Sequence, residues 1–443
     1  MDNNTRLSTK MGRTITPKKI IIPIFNRATL ARCGSVVREL SLRQQYEVVL
    51  VVSNSLLWKE FDASAEYIKA NSDRIRVENI ELNYKPSLDG MSRTAGEITS
   101  RFSEFFTKER PDLVIAIADR FETLPMATAA AYLNIPLAHI QGGEVTNNID
   151  DRVRHAVTKL SDYHFCCTRL AKQYLIAMGE DDSRVFHFGC PSLDIIKDIG
   201  IQRKGKASYK RSEIICIFHP ETDNVEDAYH QTEIVIKAVM EFCLTYSCTV
   251  QWYMPNPDPG RTEIIELLDN ALKRFDPVMK KAPNLSPTDF LRSLNRCSVI
   301  VGNTSCIFRE ASYLGVPAVN IGDRQGLRER SWNVYDADYE HNEIIEAMKI
   351  QMNKKAFKRS FLYGAGQAGF NIASQIDALQ LSRKPSLSYP LWVDYRGDHF
   401  QMKRYRKHKL RKTDNTKLIP PIKITLKNKR IFDKVTDKEI VFK

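Results

Sequence analysis

Residues 112–150 read DLVIAIADRFETLPMATAAAYLNIPLAHIQGGEVTNNID. The apolar run 112–118 stops at Asp119-Arg120. Residues 120–133, rich in Ala, predict a helix. A second apolar run, 136–140, stops at Gln141-Gly142-Gly143-Glu144. Near-continuous apolar runs on either side of a helix predict parallel strands buried on both faces. The pattern extends outward. Runs at 19–25, 47–52, 163–167 and 185–189 predict further strands, and the stretch after the first predicts a helix through Leu40. A polar, basic stretch at 196–212 reads as a linker. The alternation then restarts, with strands expected at 213–218, 249–254, 297–302 and 317–322. Helices are expected at 225–246, 261–275, 305–314, 342–353 and 366–381. Parallel strands need crossover connections, so the fold class is α/β with two doubly wound domains, 19–200 and 201–383. Residues 1–18 are left as a flexible N-terminus and 384–443 as a basic tail. Some strand-like alternation in ITLKNKRIFDKVTDKEIVF is set against a charge that predicts an exposed or loosely attached segment.

Charge and composition narrow the function. The 443 residues carry a formal charge of +13. Residues 401–443 hold 15 Lys/Arg against 4 Asp/Glu, and residues 1–20 hold 5 against 1, which leaves the body near −2. The basicity therefore belongs to the ends and says little about the core activity, although the tail offers a surface for an acidic partner. A hydrophobic content of 43% excludes collagen-like, coiled-coil and wholly disordered classes. No apolar run is long enough to span a bilayer, and the first residues lack the apolar segment of a secretory signal. Nine Cys with no CxxC and no paired His/Cys spacing point to reduced thiols, a cytoplasmic setting and no metal.

In parallel α/β sheets ligands bind beyond the carboxyl ends of the strands. The expected strands end at Asn26-Arg27, Asp119-Arg120, Gln141 to Glu144, His219-Pro220, Pro255-Asn256-Pro257-Asp258 and Asn303-Thr304-Ser305. Six polar strand ends facing one interdomain cleft define the candidate site. Each also has a plainer role open to it. Asp119 and Glu144 suit helix N-caps, Asp150-Asp151 suits the positive end of a helix, Arg27 a solvated helix start, and His219 a packed histidine. Gly302-Asn303-Thr304-Ser305 is a tight polar turn between strand and helix, an arrangement that binds phosphate, and Glu310 on the following helix is placed to accept from ribose hydroxyls. Neither GxGxxG nor GxxxxGK[ST] occurs in a suitable position.

These motifs carry a resemblance. ADRFETLPMATAAAYLNIPLAHIQGGEVTNNIDDRVRHAVTKLSDYHFCCT, GCPSLD, PNPDPG and GNTSCIFREASYLGVPAVNIGDRQ are similar in order and content to the hydrolysing UDP-N-acetylglucosamine 2-epimerases, over about residues 19–380. The likeness is greatest to the sialic-acid branch, including the epimerase half of the bifunctional animal epimerase/kinase. The resemblance implies a glycosyltransferase-B-like fold of two Rossmann-like domains and a homo-oligomer, dimer or tetramer. It implies conversion of UDP-N-acetylglucosamine to N-acetylmannosamine and UDP through a glycal, with no cofactor. It further implies Asp119, Glu144, Asp150, His219 and Arg27 as catalytic residues. Asn256, Asp258, Asn303, Thr304, Ser305, Glu310, Arg324 and Arg328 are implied to bind the UDP-sugar. The chain departs from the family at Gln141, where many members carry a catalytic carboxylate, at Ala118 and Cys306, where glycine is usual, and at Glu266 and Asp269, where the animal enzymes have inhibitor-binding arginines. The alternatives are an epimerase of another UDP-2-acetamido sugar and a nucleotide-sugar-binding protein of impaired turnover.

Overall fold

The computed structural model describes residues 16–53, 75–202, 213–283, 285–354 and 357–384, and the strands 392–396, 399–403, 424–427 and 430–433. Seven strands form the first sheet: β1 (Lys18–Ile24), β2 (Tyr46–Ser53), β3 (Ile75–Ile80), β4 (Leu113–Ile117), β5 (Leu137–Ile140), β6 (Tyr163–Cys166) and β7 (Val185–His187). Their spatial order is β3-β2-β1-β4-β5-β6-β7. Six strands form the second: β8 (Glu213–Ile217), β9 (Thr249–Tyr253), β10 (Met279–Lys281), β11 (Val299–Gly302), β12 (Ala318–Ile321) and β13 (Val334–Ala337), in the order β10-β9-β8-β11-β12-β13. Every neighbouring pair in these two sheets is parallel. The expected α/β class with two parallel-sheet domains is what the chain adopts.

The apolar runs explain why. Ile20, Ile21, Ile22 and Ile24 of β1 are all fully buried, alternate residues facing opposite helix layers. Each such side chain contributes about 1.5–3 kcal/mol on leaving water. In both sheets the chain order reverses on either side of one strand pair, β1/β4 in the first and β8/β11 in the second. Crevices open at such reversals.

The structure differs from the sequence reading in several places. The stretch 366–381 was assigned to the second domain, yet its helix, Ala368–Ala378, packs in the first core. Ile372, Ala373 and Ile376 join the cluster around Ile20, Ile22 and Leu40. Asp194 caps it, accepting from the backbone N–H of Ala368 at 3.0 Å and Gly369 at 2.6 Å, and Asp377 pairs with Arg43 at 2.8 Å. Unassigned in the sequence were β3, β10, β13 and the helix Leu88–Glu109, which Ser87 caps by accepting from Gly90 N. The expected helix 305–314 is broken into a 3₁₀ turn, Ser305–Ile307, and a short helix, Glu310–Leu314, so Glu310 opens the helix instead of lying inside it. The linker core 203–212 lies outside the described residues. In the tail, β14 (Trp392–Arg396) pairs antiparallel with β15 (His399–Lys403), and β16 (Ile424–Lys427) with β17 (Arg430–Asp433). Among the described residues no helix is long and apolar enough to cross a membrane.

Candidate active site

The ends of β1, β4, β8 and β11 converge on one cleft with about 1330 Å³ of empty space, its open mouth included. Arg27, Asp119, Asp150, His219, Asn256, Thr304, Ser305, Glu310, Arg324 and Arg328 line it. Gln141, Glu144, Asp258 and Asn303 stand behind the wall, each engaged by the protein itself.

Local backbone aims the groups. Asn26 caps the helix Arg27–Ser41, accepting from Thr29 N at 2.8 Å, so Arg27 sits at its first position and donates across the domains to Met254 O at 3.1 Å. Ala118 turns left-handed, at φ +57°, just after β4. His139 Nε2 holds the Ala118 carbonyl at 2.8 Å, and the chain swings Asp119 toward the cleft. A non-glycine residue in that region is an unusual conformation, here maintained at the turn that brings Asp119 to the cleft. The capping roles open to the acids are taken elsewhere. Glu122 occupies the N-cap position of the helix Thr123–Tyr132, and Asn148 caps the helix Ile149–Leu160.

Two carboxylates in the cleft have opposite electrostatics. Burial alone would raise the Asp119 pKa, but its ion pairs with Arg154 and with Arg32, the latter at 3.5 Å, hold it far below the ordinary range. Asp150, in the first turn of its helix, is desolvated by the cleft walls and faces the fixed charge of Asp119. Together these raise its pKa to about 7 in spite of Arg324. A permanently ionised carboxylate beside one poised near neutrality is an acid/base arrangement.

His219 is clamped through its backbone. Its N–H donates to Asn303 Oδ1 and its carbonyl accepts from Asn303 Nδ2, both at 2.8 Å. Its Nδ1 accepts from the Asn256 backbone N–H at 3.1 Å, which assigns the proton to Nε2. Burial, then the charge of Arg324, push the imidazole pKa well below its usual value, so the ring is a neutral donor. Asn303 is thus a clamp and Asp258 a bridge, paired with Arg120 and 3.9 Å from Arg324. Glu144 accepts from Arg309 at 2.5 Å and from Arg328, and those cations outweigh burial to hold its pKa down at about 2. It ties the first domain to the second. Gln141, itself left-handed at φ +70°, donates to Cys190 Sγ at 3.1 Å.

The sequence reading missed Arg32, Tyr253 and Phe290 on the wall and Arg154 and Arg309 behind it; it named Arg120 as a strand end but gave it no role. Arg32 donates to Ser305 Oγ at 3.1 Å while pairing with Asp119, so it spans the cleft. The signals available were faint: Arg32 shares a helix with Arg27, and Arg154 follows Asp150 by one helical turn. Arg309 has no spacing cue. The finished wall carries Arg27, Arg32, Arg120, Arg324 and Arg328 against Asp119, Asp150 and Glu310. That excess of cations selects an anionic ligand. One lobe is apolar, with the Tyr253 and Phe290 rings edge to face at 5.5 Å beside Leu285, Pro287 and Leu291.

A cationic cleft between two parallel-sheet domains, each open at its topological switch point, is the arrangement of a glycosyltransferase-B-like protein. The chain belongs to the UDP-N-acetylglucosamine 2-epimerase family, whose model matches residues 38–377. It is 33% identical over 359 residues to the hydrolysing UDP-N,N′-diacetylbacillosamine 2-epimerase of Legionella pneumophila, covering 79% of this chain and 93% of that one. It is 30% identical over 269 residues to the hydrolysing GDP/UDP-N,N′-diacetylbacillosamine 2-epimerase of Campylobacter jejuni, covering 59% and 68%. In fold it is similar to the UDP-GlcNAc 2-epimerase of Methanocaldococcus jannaschii solved with UDP-GlcNAc and UDP, at TM-score 0.69, 18% identity and coverage of 82% and 100%. The family expectation therefore holds. The narrower one, a sialic-acid-branch enzyme making N-acetylmannosamine, goes further than these likenesses, since both relatives are named for a diacetylated sugar.

Proposed function

We propose that the protein is a hydrolysing 2-epimerase of a UDP-2-acetamido sugar, with UDP-N,N′-diacetylbacillosamine the preferred substrate and UDP-N-acetylglucosamine the second. The observation that carries the reaction type is the Asp119/Asp150 pair. Epimerisation at C2 needs a group that takes a weakly acidic proton and one that returns it at neutral pH. Asp150, half ionised near pH 7, suits that task, and Asp119, fixed by two arginines, keeps Asp150 poised. The choice of sugar rests on the two relatives named for it.

The roles follow from position. Uracil lies against Tyr253 and Phe290, and Glu310 accepts from the ribose hydroxyls. Arg324, Arg328 and the turn at Thr304-Ser305 take the diphosphate, with Arg27 and Arg32 completing the charge on the opposite domain. Removal of the C2 proton drives the electron pair into a C1–C2 double bond as the C1–O bond to UDP breaks, and the leaving diphosphate oxygen is stabilised by these cations. Neutral His219 donates through Nε2–H. Water then adds at C1 and a proton at C2 from the opposite face, giving the 2-epimeric free sugar and UDP. Gln141 takes no part in proton transfer.

Incubation with each UDP-sugar in deuterated water tests the reading. Release of UDP with deuterium at C2 of an inverted sugar is expected, with kcat/KM about tenfold higher or more for the diacetylated substrate. UDP binding without release from either sugar would leave a binding protein, and sugar appearing on an acceptor would make it a transferase.

A further inference from the structure

Behind Ser192, a cleft-lining residue at the start of the helix Ser192–Asp198, lies a buried polar cluster that these roles do not use. Its centre is the Cys190 sulfur, 1% exposed. Gln141 Nε2 donates to Cys190 Sγ at 3.1 Å, and Ser192 Oγ lies 3.1 Å from the same sulfur. The Cys167 thiol is a further neighbour that acts on the same sulfur. The charge of Arg309, whose guanidinium is 2% exposed, acts on the sulfur from the other domain, and its Nε has no hydrogen-bond partner among the described residues. The backbone here has no slack. Cys190 N–H donates to Tyr363 O at 2.7 Å, and Gly189 crosses Gly364 so closely that a Cβ on Gly189 would come within 2.8 Å of the Gly364 Cα. The sulfur is therefore held in place among its donors.

Donors and a cation gathered round a buried sulfur stabilise its thiolate. Burial pushes the Cys190 pKa up, but the Cys167 hydrogen bond and the Arg309 charge outweigh it and bring it to about 7, against the opposing charge of Glu310. Arg32 faces the same sulfur, and Cys167 is pushed well above the usual thiol range by burial and by Cys190. One ionisation is shared by the pair, and the donors Gln141 Nε2 and Ser192 Oγ, each 3.1 Å from the Cys190 sulfur, favour it there.

We propose that Cys190 is a positioning residue acting through Ser192: ionised, it takes the Ser192 hydroxyl proton as a hydrogen bond, so that Ser192 turns its lone pairs to the cleft and accepts an amide or hydroxyl proton of the bound sugar. When Cys190 is protonated, the thiol donates to Ser192 and the Ser192 hydroxyl presents its proton to the cleft instead. The wall thus changes from acceptor to donor with one buried proton. The role in catalysis rests on the 2-epimerase reading, whereas the ionisation and its effect on sugar affinity do not.

The test uses the full-length protein without ligand. Thiolate ultraviolet absorbance is titrated between about pH 5 and about pH 9 in wild type, Cys190→Ser and Gln141→Glu. A step is expected in wild type and absent in Cys190→Ser. In Gln141→Glu a carboxylate beside the sulfur shifts the midpoint up by about one unit or more. Calorimetry then compares UDP-N-acetylglucosamine with UDP. At about pH 8, Cys190→Ser and Ser192→Ala should each weaken the sugar nucleotide about five- to tenfold and leave UDP within about twofold. At about pH 6 the Cys190→Ser effect should shrink, because the wild-type thiol is then protonated. Equal absorbance curves for wild type and Cys190→Ser overturn the ionisation, and unchanged UDP-N-acetylglucosamine affinity in both variants overturns the positioning role. Neither outcome depends on turnover, so a protein that proved inactive would fail the epimerase reading alone.

Discussion

At the scale of single residues, Asp150 is where fold and chemistry meet. Folding places it beside the fixed charge of Asp119 and raises its pKa to about 7. If it is the base, turnover should fall as pH drops below about 7 and Asp150 gains its proton. Asp150→Asn should remove that limb and cost about 10²–10⁴-fold in kcat, with UDP affinity nearly intact, as pH–rate profiles and calorimetry would show. A raised carboxyl pKa also has a stability sign. The folded state binds this proton more tightly than the unfolded chain, so the contribution is full below about pH 4 and is lost as pH rises through about 7. Asp150→Asn should therefore raise the melting temperature at about pH 8. A variant that keeps its activity limb and melts lower would remove Asp150 from the base role. Glu310 gives a second check. Glu310→Ala should weaken UDP by about 1–3 kcal/mol if a buried ribose contact is lost, and unchanged affinity would move the ribose elsewhere. Asp119 and His219 were legible in sequence because they end apolar runs, and Asp150 because it opens the helix that follows Glu144. Their electrostatics were not, since Arg154, Arg32 and Arg324 reach them only through the folded chain.

At the scale of elements, the strand ends carry the site because both sheets use the same order and so open at equivalent places. Gly302 shows how tightly the second opening is built. It closes β11 at φ +132°, and a Cβ there would lie 2.0 Å from the carbonyl oxygen of Ile217 at the end of β8. Gly302→Ala should separate these two strand ends, cost about 2–4 kcal/mol of stability and displace both His219 and Thr304 from the cleft. Denaturant unfolding measures the first effect and UDP calorimetry the second. A stable variant with normal UDP affinity would mean that the strand ends give way easily. Central strands such as β1 and β4 announced themselves by continuous apolar runs. The edge strand β3, IRVENI, did not, because charged residues interrupt it and Arg76 pairs there with Glu78 at 2.8 Å. The break between Ser305–Ile307 and Glu310–Leu314 was equally hidden. Arg309, at φ −101° and ψ −80°, leaves the helix to reach Glu144, a partner 165 positions away in sequence.

At the scale of the whole molecule, the helix Ala368–Ala378 returns from the second domain to complete the first, and the few residues after it fix where the tail departs. Tyr163 OH donates to Gln380 O at 2.9 Å, Lys384 N–H donates to Asp162 Oδ1 at 2.7 Å, and Lys384 Nζ reaches Glu180 at 2.8 Å. Asp162 and Tyr163 stand at the start of β6, whereas the cleft lies beyond the ends of the strands. Lys384 therefore sits on the side of the first domain away from the site. Sequence order alone assigned this helix to the second domain, because nothing in 366–381 tells which core its apolar face will fill. Two truncations separate the helix from the tail. A chain ending at Lys384 keeps the Asp162 and Glu180 anchors, and should retain UDP affinity, turnover and a melting temperature within about 2–4 °C of wild type. It should lose any salt-sensitive binding to polyanions that the full chain shows, since residues 401–443 carry 15 Lys/Arg against 4 Asp/Glu. A chain ending at Gln367 exposes the cavity left by Ile372, Ala373 and Ile376 and strips Asp194 of its backbone donors. Loss of two buried Ile side chains costs about 4 kcal/mol or more, so this chain should unfold or aggregate. If the chain ending at Lys384 folds but is inactive, the tail belongs to the working enzyme. If the chain ending at Gln367 remains folded with full UDP affinity, the returning helix is an ornament on the first domain, and the two units are more independent than their shared core implies.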